Sequence, residues 1–236
     1  MLDIWDAQAG LDHVGRALLL ARAAPGQHED DAAGLPIGAR DRLLLDLRKR
    51  LFGPQVEALE QCPECGARLE IAFDIDAVRL DPADGADDAV TVESDGYELI
   101  ARLPTSTDLL DVRDCRDVGV ARARLLASCL VEARRDGAAI EAGDLSDAVR
   151  DALSDALGDA DPQAEIELEL DCAACGHGWR TRFDIVDYLW AEVEHFGRRT
   201  LRDVHLLARA YGWSERDILA LSSRQRSYYL GLVLDG

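Results

Sequence analysis

Two short cysteine motifs constrain the fold more than any other feature of the sequence. They are Cys62-Pro-Glu-Cys65-Gly and Cys172-Ala-Ala-Cys175-Gly. In each motif, two residues separate the cysteines, so both thiolates of one tight turn can reach the same ion. The glycine that follows permits the positive φ that closes such a turn. Because two knuckles supply the four thiolates of a closed tetrahedral shell, the sequence predicts one structural zinc ion bound by Cys62, Cys65, Cys172 and Cys175.

The segments beside the knuckles have the alternation typical of half-buried strands. Apolar residues occupy every second position from 69 to 75 after the first knuckle and from 166 to 170 before the second. Period-two alternation predicts strands. We therefore expect a zinc ribbon in two halves, 62–76 and 164–183, with 106 residues between Cys65 and Cys172.

Other uses of the cysteine pairs were weighed against this prediction. Paired disulfides require an oxidising compartment, and the N-terminal segment lacks the basic stretch and apolar run of a secretion signal, so we expect a cytoplasmic protein. A thioredoxin-like motif is expected in a βαβ pattern, which neither knuckle has. A catalytic zinc keeps an open position, which four thiolates do not leave, although Glu64 and His177 lie close enough in sequence to be considered as alternative groups.

The charge and the remaining motifs limit the function further. The chain carries 46 acidic residues against 26 basic ones, a net charge of −20. Nucleic-acid binding depends on neutralising phosphates, so this balance disfavours such a partner. There is no run of about 18 apolar residues to span a membrane. A nucleophile elbow, a phosphate-binding glycine loop and an H-E-x-x-H motif are also missing from the sequence, so we expect a protein that is not an enzyme.

The periodicity along the chain predicts a mostly helical α+β fold, with helices packed around a small ribbon-like antiparallel sheet. Four segments are expected: N-terminal helices in 1–61, the split ribbon in 62–76 and 164–183, an inserted hairpin plus helices in 77–163, and a helical region in 184–236. The element predictions are helices at 4–22, 38–52, 118–134 and 145–157, a helical turn before Cys62, a hairpin around Ser94-Asp95-Gly96, acidic loops at 29–31 and 81–88, and a strand at 179–183. Beyond that strand we expect a helix capped by Asp184, a further helix, a short helical turn capped by Ser214 and a final helix that Ser222 opens.

The C-terminal quarter contains most of the large aromatic residues. Tryptophan, tyrosine and arginine dominate interface hot spots, so Trp213, Arg224, Arg226 and Tyr228 are predicted to bind a partner protein. Core packing is the alternative, and it is favoured for Trp190 and Tyr211. The second helix after Asp184 is expected to bury one face made of Leu201, Val204, Ala208 and Tyr211.

Several runs of residues together resemble a known family. They are Leu35-Pro-Ile-Gly-Ala-Arg-Asp, Leu51-Phe-Gly-Pro, the two knuckles, Arg102-Leu-Pro-Thr-Ser-Thr-Asp-Leu, and the run from Asp203 to Ser222. The set resembles the T-even-phage-type baseplate hub assembly chaperones of contractile phages and phage-tail-like injection systems, in particular the longer members with paired knuckles. The resemblance implies a non-enzymatic factor that binds baseplate hub or spike proteins. A permanent baseplate subunit and, less favoured, a zinc-dependent enzyme are the alternatives.

Overall fold

The computed structural model describes residues 1–7, 10–25, 31–81 and 89–234. Most of the two predicted acidic loops, residues 29–30 and 82–88, lies outside the described residues. The helices are α1 (Leu2–Asp6), α2 (His13–Arg22), α3 (Asp31–Gly34), α4 (Ile37–Phe52), α5 (Ser106–Val112), α6 (Val118–Cys129), α7 (Asp147–Ala160), α8 (Ile185–Tyr211), α9 (Glu215–Ala220) and α10 (Ser223–Leu234). The strands are β1 (Gln55–Gln61), β2 (Arg68–Asp74), β3 (Ala89–Ser94), β4 (Tyr97–Arg102), β5 (Leu130–Arg135), β6 (Ala138–Ala139), β7 (Glu167–Asp171) and β8 (Gly178–Arg182).

These elements confirm a mostly helical α+β fold with small antiparallel sheets. The chain divides into two compact units, one made of Met1–Gly10 with Leu189–Gly236 and the other of Leu11–Tyr188. The division of the chain into four segments remains a prediction. Of the described helices, none combines the length and the apolar character needed to cross a membrane.

The N-terminal region contains two helices where the periodicity predicted one helix over 4–22, so that prediction is wrong. α1 ends at Asp6, and α2 begins only at His13. The Asp12 side chain caps α2 by accepting a hydrogen bond of 2.8 Å from the N–H of Gly15. Aspartate is a preferred N-cap residue, and Gly10 has a φ of 83°, so local residues account for the break between the two helices. The helix predicted over 38–52 is confirmed as α4.

The segment between the knuckles forms a four-stranded antiparallel sheet in the order β3-β4-β5-β6. The predicted hairpin is confirmed, because Asp95 and Gly96 both have positive φ in the turn between β3 and β4, as a type I′ turn requires. The predicted helix over 118–134 is too long, since α6 ends at Cys129 and the following residues form β5, which pairs with β4. α7 begins two residues later than predicted, with Ser146 as its cap.

One face of this sheet is covered by helices. Leu99 of the sheet, Cys129 of α6 and Leu153 of α7 are all fully buried in one cluster. Arg102 at the end of β4 forms a bidentate ion pair with Asp108 of α5, both N–O distances being 2.7 Å. This hydrogen-bonded guanidinium holds the pKa of the Asp108 carboxyl well below its usual range. The pair therefore fixes α5 against the end of β4.

α4 approaches the segment before β7 at a glycine. The N–H of Gly38 donates a buried hydrogen bond of 2.8 Å to Oδ2 of Asp161. A Cβ at position 38 would lie 1.9 Å from Oδ1 of Asp161 and 2.9 Å from the backbone nitrogen of Ala164. Only glycine fits this close approach of α4 to the segment that leads into β7.

The unit that contains the two chain ends is built on α8, one helix where the sequence predicted two. Its buried residues include Val193, Thr200 and Leu207. The predicted buried face is wrong, because Leu201 and Tyr211 are 37% and 39% exposed. α1 belongs to this unit and packs the ring of Trp5 against Gly197, where a Cβ would lie 2.7 Å from Cγ of the tryptophan.

Candidate metal centre

Each cysteine knuckle is the turn of a two-stranded antiparallel hairpin. The first knuckle joins β1 to β2, whose pairing runs from Gln55 with Asp74 to Gln61 with Arg68. The second joins β7 to β8. The helical turn predicted before Cys62 is therefore wrong, since that segment is a strand. The strands predicted after the first knuckle and on both sides of the second are confirmed, and they form two separate hairpins.

The two knuckles have the same backbone geometry. In the first, the N–H of Cys62 donates to the carbonyl of Ala67 and the N–H of Gly66 donates to the carbonyl of Cys62, both at 2.9 Å. Gly66 has a φ of 71°, as the sequence predicted for this position. The second knuckle repeats these bonds at 2.9 and 2.8 Å through Cys172, His177 and Gly176, and its glycine has a φ of 75°.

The fold brings the four predicted cysteines together. Their sulfur atoms all lie within 4.8 Å of one another. Sγ of Cys62 is 3.8 Å from Sγ of Cys175, and Sγ of Cys65 is 3.7 Å from Sγ of Cys172. A tetrahedral zinc ion with Zn–S bonds of about 2.3 Å separates its sulfurs by about 3.8 Å, whereas a disulfide needs about 2.05 Å. The cysteines are free thiols, and their spacing fits a tetrahedral four-sulfur metal site.

The environment of the sulfurs also fits a cation. The first cysteine of each knuckle is buried, with Cys62 1% and Cys172 2% exposed, while the second is exposed. Backbone N–H groups of Cys175 and Ala174 lower the pKa of the Cys172 thiol to about 7. The N–H of His177 favours the thiolate of Cys175, yet local desolvation and the neighbouring sulfurs raise the pKa of that thiol to about 12. Four sulfurs this close ionise together only when a positive ion offsets their repulsion.

The side chain of His177, an alternative ligand by its place in the sequence, contacts Trp179. Its ring stacks on that of Trp179 with the centroids 6.2 Å apart and the planes 11° apart. Glu64 is exposed at the tip of the first knuckle. The four-sulfur group therefore contains the predicted residues and neither of these two.

An aromatic cluster below the knuckles, which the sequence did not predict, connects the two hairpins. Phe73 of β2 meets Phe183, just after β8, edge to face at 5.2 Å between centroids. Phe183 in turn contacts the ring of Tyr188 on α8 at 5.3 Å. The hydroxyl of Tyr188 donates to the backbone carbonyl of Glu57 at 3.0 Å and lies 3.2 Å from the N–H of Glu57. These contacts occupy backbone groups of β1 that another strand would otherwise pair with.

A second group of possible metal ligands is better explained as a helix cap. His13, Asp184 and Asp187 have ligand atoms within 4.8 Å of one another. Oδ1 of Asp184 accepts from the N–H groups of Val186 and Asp187, which confirms the predicted cap of α8, and Oδ2 lies 2.8 Å from Nε2 of His13. Burial alone would raise the pKa of Asp184, but the hydrogen bond from His13 and those from the backbone lower it. The positive end of the helix dipole disfavours a metal cation here.

The predicted partner-binding residues divide into two kinds. Trp213 is half-buried and packs against Tyr211 and Tyr229 at centroid distances of 4.7 and 4.9 Å. Tyr228 is 67% exposed, and Arg224 is exposed as well. Trp213 therefore packs within the unit, while Tyr228 and Arg224 face solvent. Tyr211 contributes to the same aromatic cluster but, contrary to the prediction, is not buried in a core.

The fold is mostly helical, and its four clustered cysteines have a spacing compatible with a structural metal site. Residues 19–190 match the family described as T4 bacteriophage base plate protein, and the chain belongs to that family. Membership associates it with the phage baseplate, with a structural or assembly-related class of protein, and with other baseplate components as partners. The match includes both knuckles and ends before the run from Asp203 to Ser222. No curated protein and no solved structure matches the chain.

Proposed function

We propose that this protein is a non-enzymatic assembly factor, a chaperone, for the baseplate hub of a contractile phage tail or phage-tail-like injection system. Membership in the base plate family is the observation that carries the proposal. The factor acts in the cytoplasm of the producing cell, where it binds hub or spike proteins. The resemblance of the sequence to hub assembly chaperones supports this finer assignment.

The proposal includes one structural zinc ion held by the four knuckle cysteines. Zinc is the ion that four cysteine ligands in tetrahedral geometry usually bind in proteins. Its role is to join two hairpins that come from distant parts of the chain, since Cys65 and Cys172 are 107 positions apart. Four thiolates complete the coordination shell and leave no position for a reacting water, which supports a structural ion over a zinc-dependent enzyme.

A permanent baseplate subunit is the second candidate function, because the matched family is described simply as a base plate protein. Quantitative mass spectrometry of purified mature particles separates the two. An assembly factor is expected at far less than one copy for each copy of a baseplate structural protein. A whole-number ratio to such a protein would assign the chain to the finished baseplate and refute the chaperone role.

A further inference from the structure

The last helix exposes a continuous row of side chains. Arg224, Tyr228 and Leu232 are spaced four residues apart on α10, so they lie on one side of the helix, and we call these three residues the outer stripe. Tyr228 is 67% and Leu232 is 52% exposed. With a rise of about 1.5 Å per residue, the outer stripe is about 12 Å long, which is close to two helical turns.

The opposite side of α10 holds the helix in place. Tyr229 packs edge to face on Trp213 at 4.9 Å and on Tyr211 at 5.8 Å between centroids, and its ring also contacts that of Tyr228 at 6.0 Å. The hydroxyl of Ser222 accepts from the N–H of Gln225, and the Gln225 side chain accepts from the N–H of Ser222, which fixes the start of the helix. A surface already held in its presenting conformation loses little entropy on binding.

The charge on this helix has no counterpart close by. α10 carries Arg224 and Arg226 and no acidic residue between Ser223 and Leu234. Within the described part of the chain, no carboxylate lies within ion-pair distance of Arg224. Nε of Arg226 is buried and has no hydrogen-bond partner among the described residues. Arg226 lies on the other side of α10 from Arg224, so in a chain with a net charge of −20 the outer stripe offers one cation, Arg224, that a partner's carboxylate could pair with.

We propose that the outer stripe docks an amphipathic helix of another baseplate protein, whose apolar side chains cover Tyr228 and Leu232 and whose carboxylate pairs with Arg224. This inference rests on the proposed function, which supplies the class of partner. Side chains four residues apart form the ridge that fits between the ridges of a second helix. A helix laid along such a ridge is a common mode of recognition, and the arginine would set its direction.

A second copy of this chain fits the outer stripe less well. The partner helix needs an exposed apolar residue and a carboxylate three or four positions apart. On the described helices, the large exposed apolar residues are Leu51, Val118, Val120, Leu201, Tyr211, Tyr228, Leu232 and Leu234. None of these residues has a carboxylate three or four positions away within the bounds of its own helix, and Asp117, three positions before Val120, already caps α6 by accepting the N–H of Val120.

Site-specific photo-crosslinking in the producing cell tests the proposal with the full-length chain. p-Benzoylphenylalanine replaces Tyr228 in one variant and Leu59 in a control variant, since Leu59 is equally exposed, at 68%, but lies on β1. We expect the probe at 228 to be attached to a helical peptide of a baseplate protein in which apolar residues alternate with Asp or Glu at helical spacing. The probe at 59 should not label that peptide.

Binding of the identified partner is then titrated against variants whose folding is checked by circular dichroism. Tyr228→Ala should weaken binding about 30-fold, as loss of a hot-spot side chain does. Arg224→Glu should weaken it roughly fivefold and increasingly so at low salt, whereas Arg116→Glu, a reversal at another exposed arginine, should leave it unchanged.

The outcomes distinguish this inference from the proposed function. Attachment to a second copy of the chain, or no attachment at 228 while a hub protein still co-purifies, would overturn the docking surface alone. Equal weakening by the variants at 116 and 224 would also overturn it. If no baseplate protein is recovered with the wild-type chain, the proposed function itself fails.

Discussion

Replacing one knuckle cysteine should remove a large part of the stability of the protein. Cys62→Ser deletes a buried thiol, 1% exposed, whose sulfur lies 3.8 Å from that of Cys175. Three thiolates and a serine hydroxyl hold zinc poorly, because the hydroxyl does not ionise near neutral pH. Cys115→Ser is the matched control, since Cys115 is a half-buried free cysteine outside the sulfur cluster.

The separation of the knuckles in sequence sets the size of the effect. If the ion stays bound to the unfolded chain, it acts as a cross-link between Cys65 and Cys172, 107 positions apart. Closing a loop of that length lowers the entropy of the unfolded chain by an amount that stabilises the fold by about 5 kcal/mol. If the ion leaves on unfolding, its binding free energy of about 10–16 kcal/mol is lost instead. A domain is stable by only about 5–15 kcal/mol, so either loss brings the variant close to unfolding.

Equilibrium urea unfolding, followed by circular dichroism with and without a chelator, measures this change. We expect the chelator and Cys62→Ser each to lower the free energy of unfolding of the wild type by at least about 5 kcal/mol, without an additive effect. Cys115→Ser should change it by less than about 0.5 kcal/mol. A Cys62→Ser protein that keeps its zinc and its wild-type midpoint would refute a structural role of the ion.

Two further substitutions test the contact of Gly38 with Asp161 and the ion pair of Asp108 with Arg102. Gly38→Ala should lower the free energy of unfolding by about 1–3 kcal/mol because its Cβ would overlap the carboxylate of Asp161, whereas Gly34→Ala, with open space around it, should melt like the wild type. Asp108→Asn should cost about 3 kcal/mol at pH 7 by leaving Arg102 without its charged partner. Because the pKa of Asp108 is lowered in the folded state, its stabilisation is complete above the unfolded value of about 3.9 and is lost as the pH falls further. Urea unfolding should therefore separate Asp108→Asn from the wild type at pH 7, and the difference should shrink as the pH falls below about 3.9 towards the lowered pKa of the folded state; a difference that does not depend on pH would contradict this assignment.

The knuckles could be predicted because their chemistry is local. Two cysteines two residues apart and a following glycine specify a metal-binding turn whatever surrounds them. That the two knuckles meet follows from the four-coordinate geometry of structural zinc, and the sulfur–sulfur distances of 3.7 and 3.8 Å agree with it. The contact of Phe73 with Phe183 below them depends on how the two hairpins meet, which local sequence does not specify.

The strands β1 and β5 were missed because pairing overrides local preference. β1 contains Glu, Ala and Leu, which favour helices, yet it pairs along its whole length with β2. β5 continues directly from α6 without a glycine or proline between them, so the sequence has no stop signal after Cys129. The open edge of β4 provides the hydrogen bonds that turn this segment into a strand.

The buried face of the C-terminal part of α8 was misplaced by one residue position. Val193, Thr200 and Leu207 are buried at intervals of seven residues, while the predicted face passed through Leu201 and Tyr211. One position along a helix turns the face by about 100°. Because Thr200 is polar, the apolar pattern did not identify the buried face that contains it. The apolar periodicity was present, but it did not decide which of two neighbouring stripes is buried.

Purification of the tagged full-length chain from producing cells, before and after particle maturation, tests the central claim most directly when zinc is quantified in the same samples. We expect hub or spike proteins to be recovered with the chain before maturation, with about one zinc ion per chain for the four-sulfur cluster, and we expect mature particles to lack the chain. A chain recovered with zinc but without any baseplate protein at either stage would contradict the assembly role.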